Sequence, residues 1–147
     1  MPLELRITTR LVLLLLLAFV RCVLVATEQP LSTLMQIFPY FKWLENIVGH
    51  FLPWLVTSFS MAPWGHANIK PTVVFGNCPW SYRLKKRITP AVRNRVAKSK
   101  KTVRKYLSKV GKPRVCGEPA VLRKSQVYPK GFGKAVRNFH MEWMAPW

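Results

Sequence analysis

The chain has 147 residues and a formal net charge of +19, from 24 Lys and Arg against five Glu and no Asp. The length accommodates one modest domain with extensions. Carboxylates are too scarce for paired acid–base chemistry, and the absence of Asp excludes a Ser-His-Asp triad. We therefore expect no enzyme, no cofactor and no small-molecule substrate. The excess of positive charge indicates a polyanionic partner, either nucleic acid or an anionic membrane surface.

The charge is unevenly distributed along the chain. Residues 81–140 contain 19 basic residues against the single acid Glu118, whereas residues 1–80 contain five basic residues against three acids. This pattern predicts an apolar, nearly neutral first half and a polycationic second half. The three cysteines are too widely spaced to indicate a disulfide framework, which favours a reducing compartment.

The first segment, residues 1–30, contains the apolar run RLVLLLLLAFVRCVLVA and predicts a hydrophobic helix for targeting or docking. Four interpretations compete: a secretory signal cleaved near Ala26, a membrane span, a mitochondrial presequence and a helix buried in an assembly. A span needs about 20 apolar residues, and Arg21 interrupts this run. Organelle targeting and a buried helix are therefore the favoured interpretations, and membrane contact through this helix remains open.

Residues 31–79 predict an apolar extension that docks on neighbouring proteins, followed by a linker. Pro39 and Pro53 bound a helix, because proline is poorly tolerated inside one. An apolar stripe at helical spacing lies between them, formed by Phe41, Leu44, Ile47, Val48, Phe51 and Leu52. The Pro and Gly residues of 61–80 predict an extended linker.

Residues 80–147 predict a basic region with a helix over 90–110. Thr89 is a suitable N-cap and Pro90 suits the first helical position. Val92, Val96, Val103, Leu107 and Val110 then recur as a narrow apolar stripe, and Gly111 and Pro113 are typical of a helix end.

The cations of this region are mixed with aromatic residues, as expected for a surface that neutralises phosphates and stacks on unpaired bases. Neither a helix-turn-helix nor a finger spacing is present, which argues against base-specific DNA reading. Gly131 and Gly133 would permit close backbone approach to RNA. The predicted RNA-binding residues are Trp80, Tyr82, Arg83, Lys85, Lys86, Arg87, Arg93, Arg95, Lys98, Lys100, Lys101, Arg104, Lys105, Lys109, Arg123, Lys124, Lys130, Lys134 and Arg137.

Two short motifs carry a resemblance to a known family. RVCGEP, residues 114–119, resembles the end of a first zinc knuckle, and QVYPKGFGK, residues 126–134, resembles a second knuckle with Tyr128 in a ligand position. The pattern is similar to the bacterial and mitochondrial type of large-subunit ribosomal protein L-thirty-two. The resemblance covers about residues 80–137 and implies a degenerate ribbon over 112–137. Three of the four ligands are missing, so no metal is expected.

These observations together predict a mainly α fold with extended arms, little regular core and a small ribbon-like knuckle, folding within a larger assembly. The expected function is structural: a constituent of a mitochondrial large ribosomal subunit in the matrix, with rRNA and neighbouring ribosomal proteins as partners. The alternative is an inner-membrane accessory subunit anchored by residues 11–26, with a basic soluble domain. A secreted cationic membrane-active protein is a third, weaker interpretation.

Overall fold

The computed structural model of the chain describes residues 3–98, 104–107, 111, 113–117, 123 and 126–145. The chain divides into two compact units. Unit 1 comprises Met1–Phe59 and Pro71–Lys85, and unit 2 comprises Ser60–Lys70 and Lys86–Trp147. Helices predominate, and a small antiparallel sheet accompanies them, so the predicted helical character is confirmed only in part.

The secondary structure follows in chain order. The α-helices are α1 (Leu3–Val20), α2 (Pro39–Phe51), α3 (Pro90–Ala97) and α4 (Lys130–Met144). The strands are β1 (Ala26–Pro30), β2 (Leu55–Ser60), β3 (Pro71–Gly76), β4 (Arg104–Leu107) and β5 (Pro113–Cys116). Short 3-10 helices span Leu34–Ile37, Ala62–Trp64 and Pro79–Leu84.

The sheet of unit 1 has the order β1-β3-β2, so β3 is its central strand. β1 and β3 are antiparallel, with Ala26 opposite Gly76 and Pro30 opposite Thr72. Residues 72–76 are all buried, as expected for a short run rich in β-branched residues between Pro71 and Gly76. The prediction of a linker over 61–80 is therefore wrong for β3, which lies at the centre of the sheet.

α1 and α2 cover this sheet and form an apolar core with it. The helix predicted between Pro39 and Pro53 is confirmed as α2. Its residue Phe41 makes edge contacts with Phe75 of β3 and with Trp54, at ring-centroid distances of 5.2 and 5.6 Å. Three residues of the stripe, Phe41, Leu44 and Val48, are buried inside the chain, whereas Phe51 at the end of α2 is 82 % exposed, so docking of this segment on a neighbouring protein stays a prediction. The buried residues of the core are Val12, Leu15, Phe19, Phe41, Leu44, Val48, Val73 and Phe75.

α1 ends in a tight cap just before β1. Cys22 adopts a left-handed backbone with φ of 54°, and the amides of Cys22 and Val23 donate to the carbonyls of Phe19 and Ala18. This is the hydrogen-bond pattern of a Schellman motif. The helix predicted within residues 1–30 therefore stops at Val20. No helix in the described part of the chain combines the length and hydropathy of a membrane-spanning segment.

In unit 2 the helix predicted over 90–110 is correct at its start and wrong in its extent. The Thr89 hydroxyl accepts a hydrogen bond from the Val92 amide and caps α3. α3 ends at Ala97, however, and residues 104–107 form β4, which pairs antiparallel with β5. Gly111 has φ of 71° between the two strands and belongs to a hairpin connection, not to a helix cap. Val103 and Val110 lie outside the described residues.

The ribbon predicted over 112–137 is wrong over residues 130–137. Residues 113–116 form β5, as a ribbon strand would, but Lys130 to Arg137 lie in α4. The reason is an apolar stripe at helical spacing, Phe132, Ala135, Val136 and Phe139, which a ribbon strand could not place on one face. The intervening residues 118–122 are outside the described part.

Candidate nucleic-acid interface

The positive charge belongs almost entirely to unit 2. Unit 1 contains six Lys and Arg against three Glu, a net charge of +3. Unit 2 contains eighteen Lys and Arg against two Glu, a net charge of +16. Two carboxylates cannot pair with eighteen cations, so most of these cations face solvent or an external anion.

The basic face of α4 is formed by Lys130, Lys134 and Arg137. These residues follow at spacings of four and three, which places them on one side of the helix, and all three are exposed. At 1.5 Å per residue the face is about 10 Å long. The opposite side of the helix carries the apolar residues Phe132, Ala135 and Phe139, which are buried or half-buried. α4 is thus amphipathic, and its basic residues are exposed on the side opposite its apolar residues.

The apolar side of α4 is fixed to the 3-10 helix Ala62–Trp64. The buried ring of Trp64 meets Phe139 edge-on at 6.2 Å between centroids. At the start of α4, a Cβ on Gly131 would lie only 2.6 Å from the Trp64 carbonyl oxygen. Gly131 therefore permits close approach of α4 to its own chain, which corrects its predicted role at RNA. Around Gly133, in contrast, a Cβ would meet nothing within 4 Å.

Two lysines lie over aromatic rings within unit 2. The Lys86 ammonium is 3.9 Å from the centroid of the Trp64 ring, and the Lys70 ammonium is 4.6 Å from that of Tyr128. Both distances suit a cation–π interaction. Lys86 is exposed, so its charge is held at a defined position at the surface of the unit.

α3 supplies three further exposed cations, Arg93, Arg95 and Lys98. The Arg95 guanidinium donates to the Ala62 carbonyl. This hydrogen bond ties α3 to the same 3-10 helix that holds α4. Arg95 thus has a structural contact of its own, while Arg93 and Lys98 extend from the exposed surface of α3.

The segment before α3 differs from its prediction at one aromatic residue. Trp80 is only 4 % exposed, so its ring is not available to stack on a base, and its predicted role is wrong in this structure. The 3-10 helix that carries it is held by a buried hydrogen bond between the hydroxyls of Thr57 and Ser81, 3.1 Å apart. Tyr82 is 66 % exposed and keeps a stacking role open.

The remaining predicted residues fall into three groups. Arg83, Lys85, Arg87 and Arg123 are exposed, the first two in unit 1 and the others in unit 2. Arg104 and Lys105 lie in β4. Outside the described residues are Lys100, Lys101, Lys109 and Lys124.

Cysteine and histidine do not converge on a metal site in the part of the chain that the structure describes, where no three His, Cys, Asp or Glu side chains lie together. Cys78 is buried in unit 1, and desolvation raises the pKa of its thiol to about 11. The thiol is therefore protonated at neutral pH and is a weak nucleophile. Cys22, in contrast, is exposed.

Sequence reasoning missed Trp64, which contacts Lys86 and α4, and Lys70, which lies over Tyr128. Trp64 follows Pro63 in a segment rich in Pro and Gly, and its partners Lys86 and Phe139 are far along the chain. The signal available in the sequence was the amphipathic pattern of α4, because its apolar and its basic residues each recur at helical spacing.

The geometry can be set against known proteins. Comparison with protein-family models, curated proteins and solved structures found no match to this chain. Its function therefore has to be argued from the charge and geometry of unit 2.

Proposed function

We propose that the chain is a structural RNA-binding protein, and that it serves as a constituent of a mitochondrial large ribosomal subunit. The observation that carries the RNA-binding part is the basic face of α4, Lys130, Lys134 and Arg137, on a helix whose other face is packed on Trp64. The backbone of an anchored helix is already ordered, so phosphate binding by its cations costs no further backbone entropy.

The charge balance of unit 2 supports the same proposal. A solvated protein surface normally mixes both signs, whereas this unit has a net charge of +16. Such a unit repels itself until a polyanion neutralises it. Each phosphate neutralised also releases counterions, so binding should weaken steeply with salt.

The assignment to a ribosome is the finer part of the proposal. It is supported by a long basic region interleaved with aromatic residues and joined to an apolar unit, a combination typical of proteins that fold against rRNA and neighbouring proteins. It does not depend on a zinc ribbon, and residues 130–134 of the second knuckle-like motif lie in α4. In this proposal rRNA occupies the surface formed by α3 and α4.

Co-sedimentation of the purified tagged protein, added to a detergent-solubilised mitochondrial lysate so that import plays no part, tests this proposal. We expect migration with the large ribosomal subunit, abolished by ribonuclease. The variant that changes Lys130, Lys134 and Arg137 to Gln (the α4 triple variant) should be depleted from that fraction. A matched variant that changes Arg10, Arg21 and Lys42 to Gln (the unit 1 triple variant) removes the same charge and should remain.

Two outcomes of this experiment would overturn the proposal. Migration with a membrane complex that ribonuclease does not disrupt would favour an accessory membrane subunit instead. Equal depletion of the two triple variants would mean that net charge alone, and not the basic face of α4, directs the association.

A further inference from the structure

α1 is apolar on two sides, and only one of them is covered by unit 1. Val12, Leu15 and Phe19 belong to the core, each with at most 6 % exposure. The opposite side exposes Leu13, Leu14, Leu17 and Val20, by 57 to 71 %. A helix that is hydrophobic all round is normally buried all round, so the exposed side points to a further apolar environment.

The exposed side is a stripe with an arginine at each end. Arg10, Leu14, Leu17 and Arg21 follow at spacings of four, three and four, which keeps them on one side of the helix. Both arginines are exposed. Arg21 is the residue after α1, and its amide donates to the Leu17 carbonyl, so it continues the helical path. The two arginines are about 16 Å apart along the axis.

We propose that this stripe, residues 10–21, binds the surface of an anionic lipid membrane, with α1 lying in the plane of the interface. The leucines enter the boundary between headgroups and acyl chains, and the arginines at the two ends contact lipid phosphates. Long basic side chains extend to the headgroups while their apolar stems stay among the chains. The proposal concerns unit 1 and is independent of RNA binding by unit 2.

The composition and size of the stripe favour lipid over protein. Between its arginines the stripe is purely aliphatic and contains no Trp or Tyr, the aromatic residues in which protein interfaces concentrate binding energy. A stripe of this length on a helix about 10 Å wide covers on the order of 160 Å², far below the roughly 800 Å² per partner of a stable protein interface. A lipid surface needs no such area, because it adapts to the helix.

Flotation of the full-length protein with lipid vesicles tests this inference. Because the polycation of unit 2 binds anionic vesicles by itself, each vesicle type is tested at low salt and at about 1 M salt, where the Debye length falls to about 3 Å. The vesicles are pure phosphatidylcholine or phosphatidylcholine with phosphatidylserine. We expect flotation with phosphatidylserine vesicles to persist in part at high salt.

Substitutions in α1 test whether the flotation that persists at high salt is due to this helix. The double variant Leu14→Gln and Leu17→Gln should lower it by about tenfold. The matched control Leu107→Gln changes an exposed leucine of unit 2 and should leave it unchanged. At about 1 M salt, where the polycation of unit 2 is screened, Arg10→Gln with Arg21→Gln should lower the remaining flotation with phosphatidylserine vesicles toward that with pure phosphatidylcholine. Circular dichroism of each variant verifies the fold, which these exposed positions do not support.

Three results would overturn the inference. These are the absence of salt-resistant flotation, equal flotation of the leucine double variant and the wild type, and a dimer in solution that the leucine double variant dissociates. The last of these would assign the stripe to a second copy of the chain. Ribosomal co-sedimentation is a separate readout, so its failure would leave the lipid result intact.

Discussion

The two units of this chain obtain their order from different sources. Unit 1 has a net charge of +3 and a core in which two helices bury aromatic and aliphatic side chains on a sheet. Unit 2 has a net charge of +16, and in its described part α3 and α4 are held by Trp64, Gly131 and Arg95. The difference indicates that unit 1 is stabilised mainly by its apolar core, whereas unit 2 is stabilised further when a polyanion neutralises it.

The largest expected effect tests the packing of unit 1. Gly76 has φ of 149°, and a Cβ there would lie 1.8 Å from the Val25 carbonyl oxygen. We expect Gly76→Ala to lower the free energy of unfolding by about 3–5 kcal/mol, because neither the backbone nor β1 can accommodate the methyl group. Urea unfolding followed by circular dichroism measures this loss.

Gly49→Ala is the matched control for Gly76→Ala. Gly49 lies in α2, and a Cβ there meets nothing within 4 Å. Alanine should therefore raise the free energy of unfolding by about 1 kcal/mol through its helix propensity. Similar effects at the two positions would contradict the tight junction between β3 and the start of β1.

A smaller effect is expected in unit 2, from the same substitution at two neighbouring glycines of α4. Gly131→Ala places a methyl group 2.6 Å from the Trp64 carbonyl oxygen, whereas Gly133→Ala meets nothing within 4 Å. We expect Gly131→Ala to lower the free energy of unfolding by about 2 kcal/mol, which lowers the midpoint of thermal unfolding. Gly133→Ala should raise this midpoint slightly. If both raise it, α4 is not anchored on Trp64 as the structure shows.

Local signals in the sequence predicted α1, α2 and the start of α3, whereas α4 and the strands that depend on distant partners were missed. Pro39 and the apolar stripe around Phe41 were sufficient to predict α2, and Thr89 and Pro90 were sufficient to place the start of α3. β3 was taken for a linker because Pro and Gly surround it, although its run of β-branched residues is typical of a buried strand. β1 has no such signal, and its pairing with β3 follows from the fold alone.

For the candidate site, the sequence predicted the cations but not their arrangement. Lys130, Lys134 and Arg137 were named as members of a basic region, yet their common face became visible only with α4. The predicted stacking role of Trp80 is wrong, because an aromatic residue beside cations gives the same sequence pattern whether it is buried or exposed. The next residue, Ser81, is hydrogen-bonded to the distant Thr57 inside unit 1, and the sequence does not indicate this contact.

The smallest expected effect concerns the pH dependence of unit 1. Burial raises the pKa of Cys78 from 9.0 to about 11, so the folded protein holds this proton more tightly than the unfolded chain. The resulting stabilisation is complete below pH 9 and is lost as the pH rises toward 11. Between these values the wild type should lose about 1–2 kcal/mol more stability than Cys78→Ala, measured by urea unfolding. Parallel losses in the two proteins would contradict the burial of this thiol.

The most direct test of the account is the salt dependence of RNA binding by the wild type and the two triple variants. We predict that the α4 triple variant binds single-stranded RNA at least tenfold more weakly and that its slope of log K against log salt is shallower by about 2, from three lost phosphate contacts at about 0.7 each. The unit 1 triple variant should keep the slope of the wild type. Equal slopes for all three proteins would contradict the claim that the basic face of α4 binds RNA.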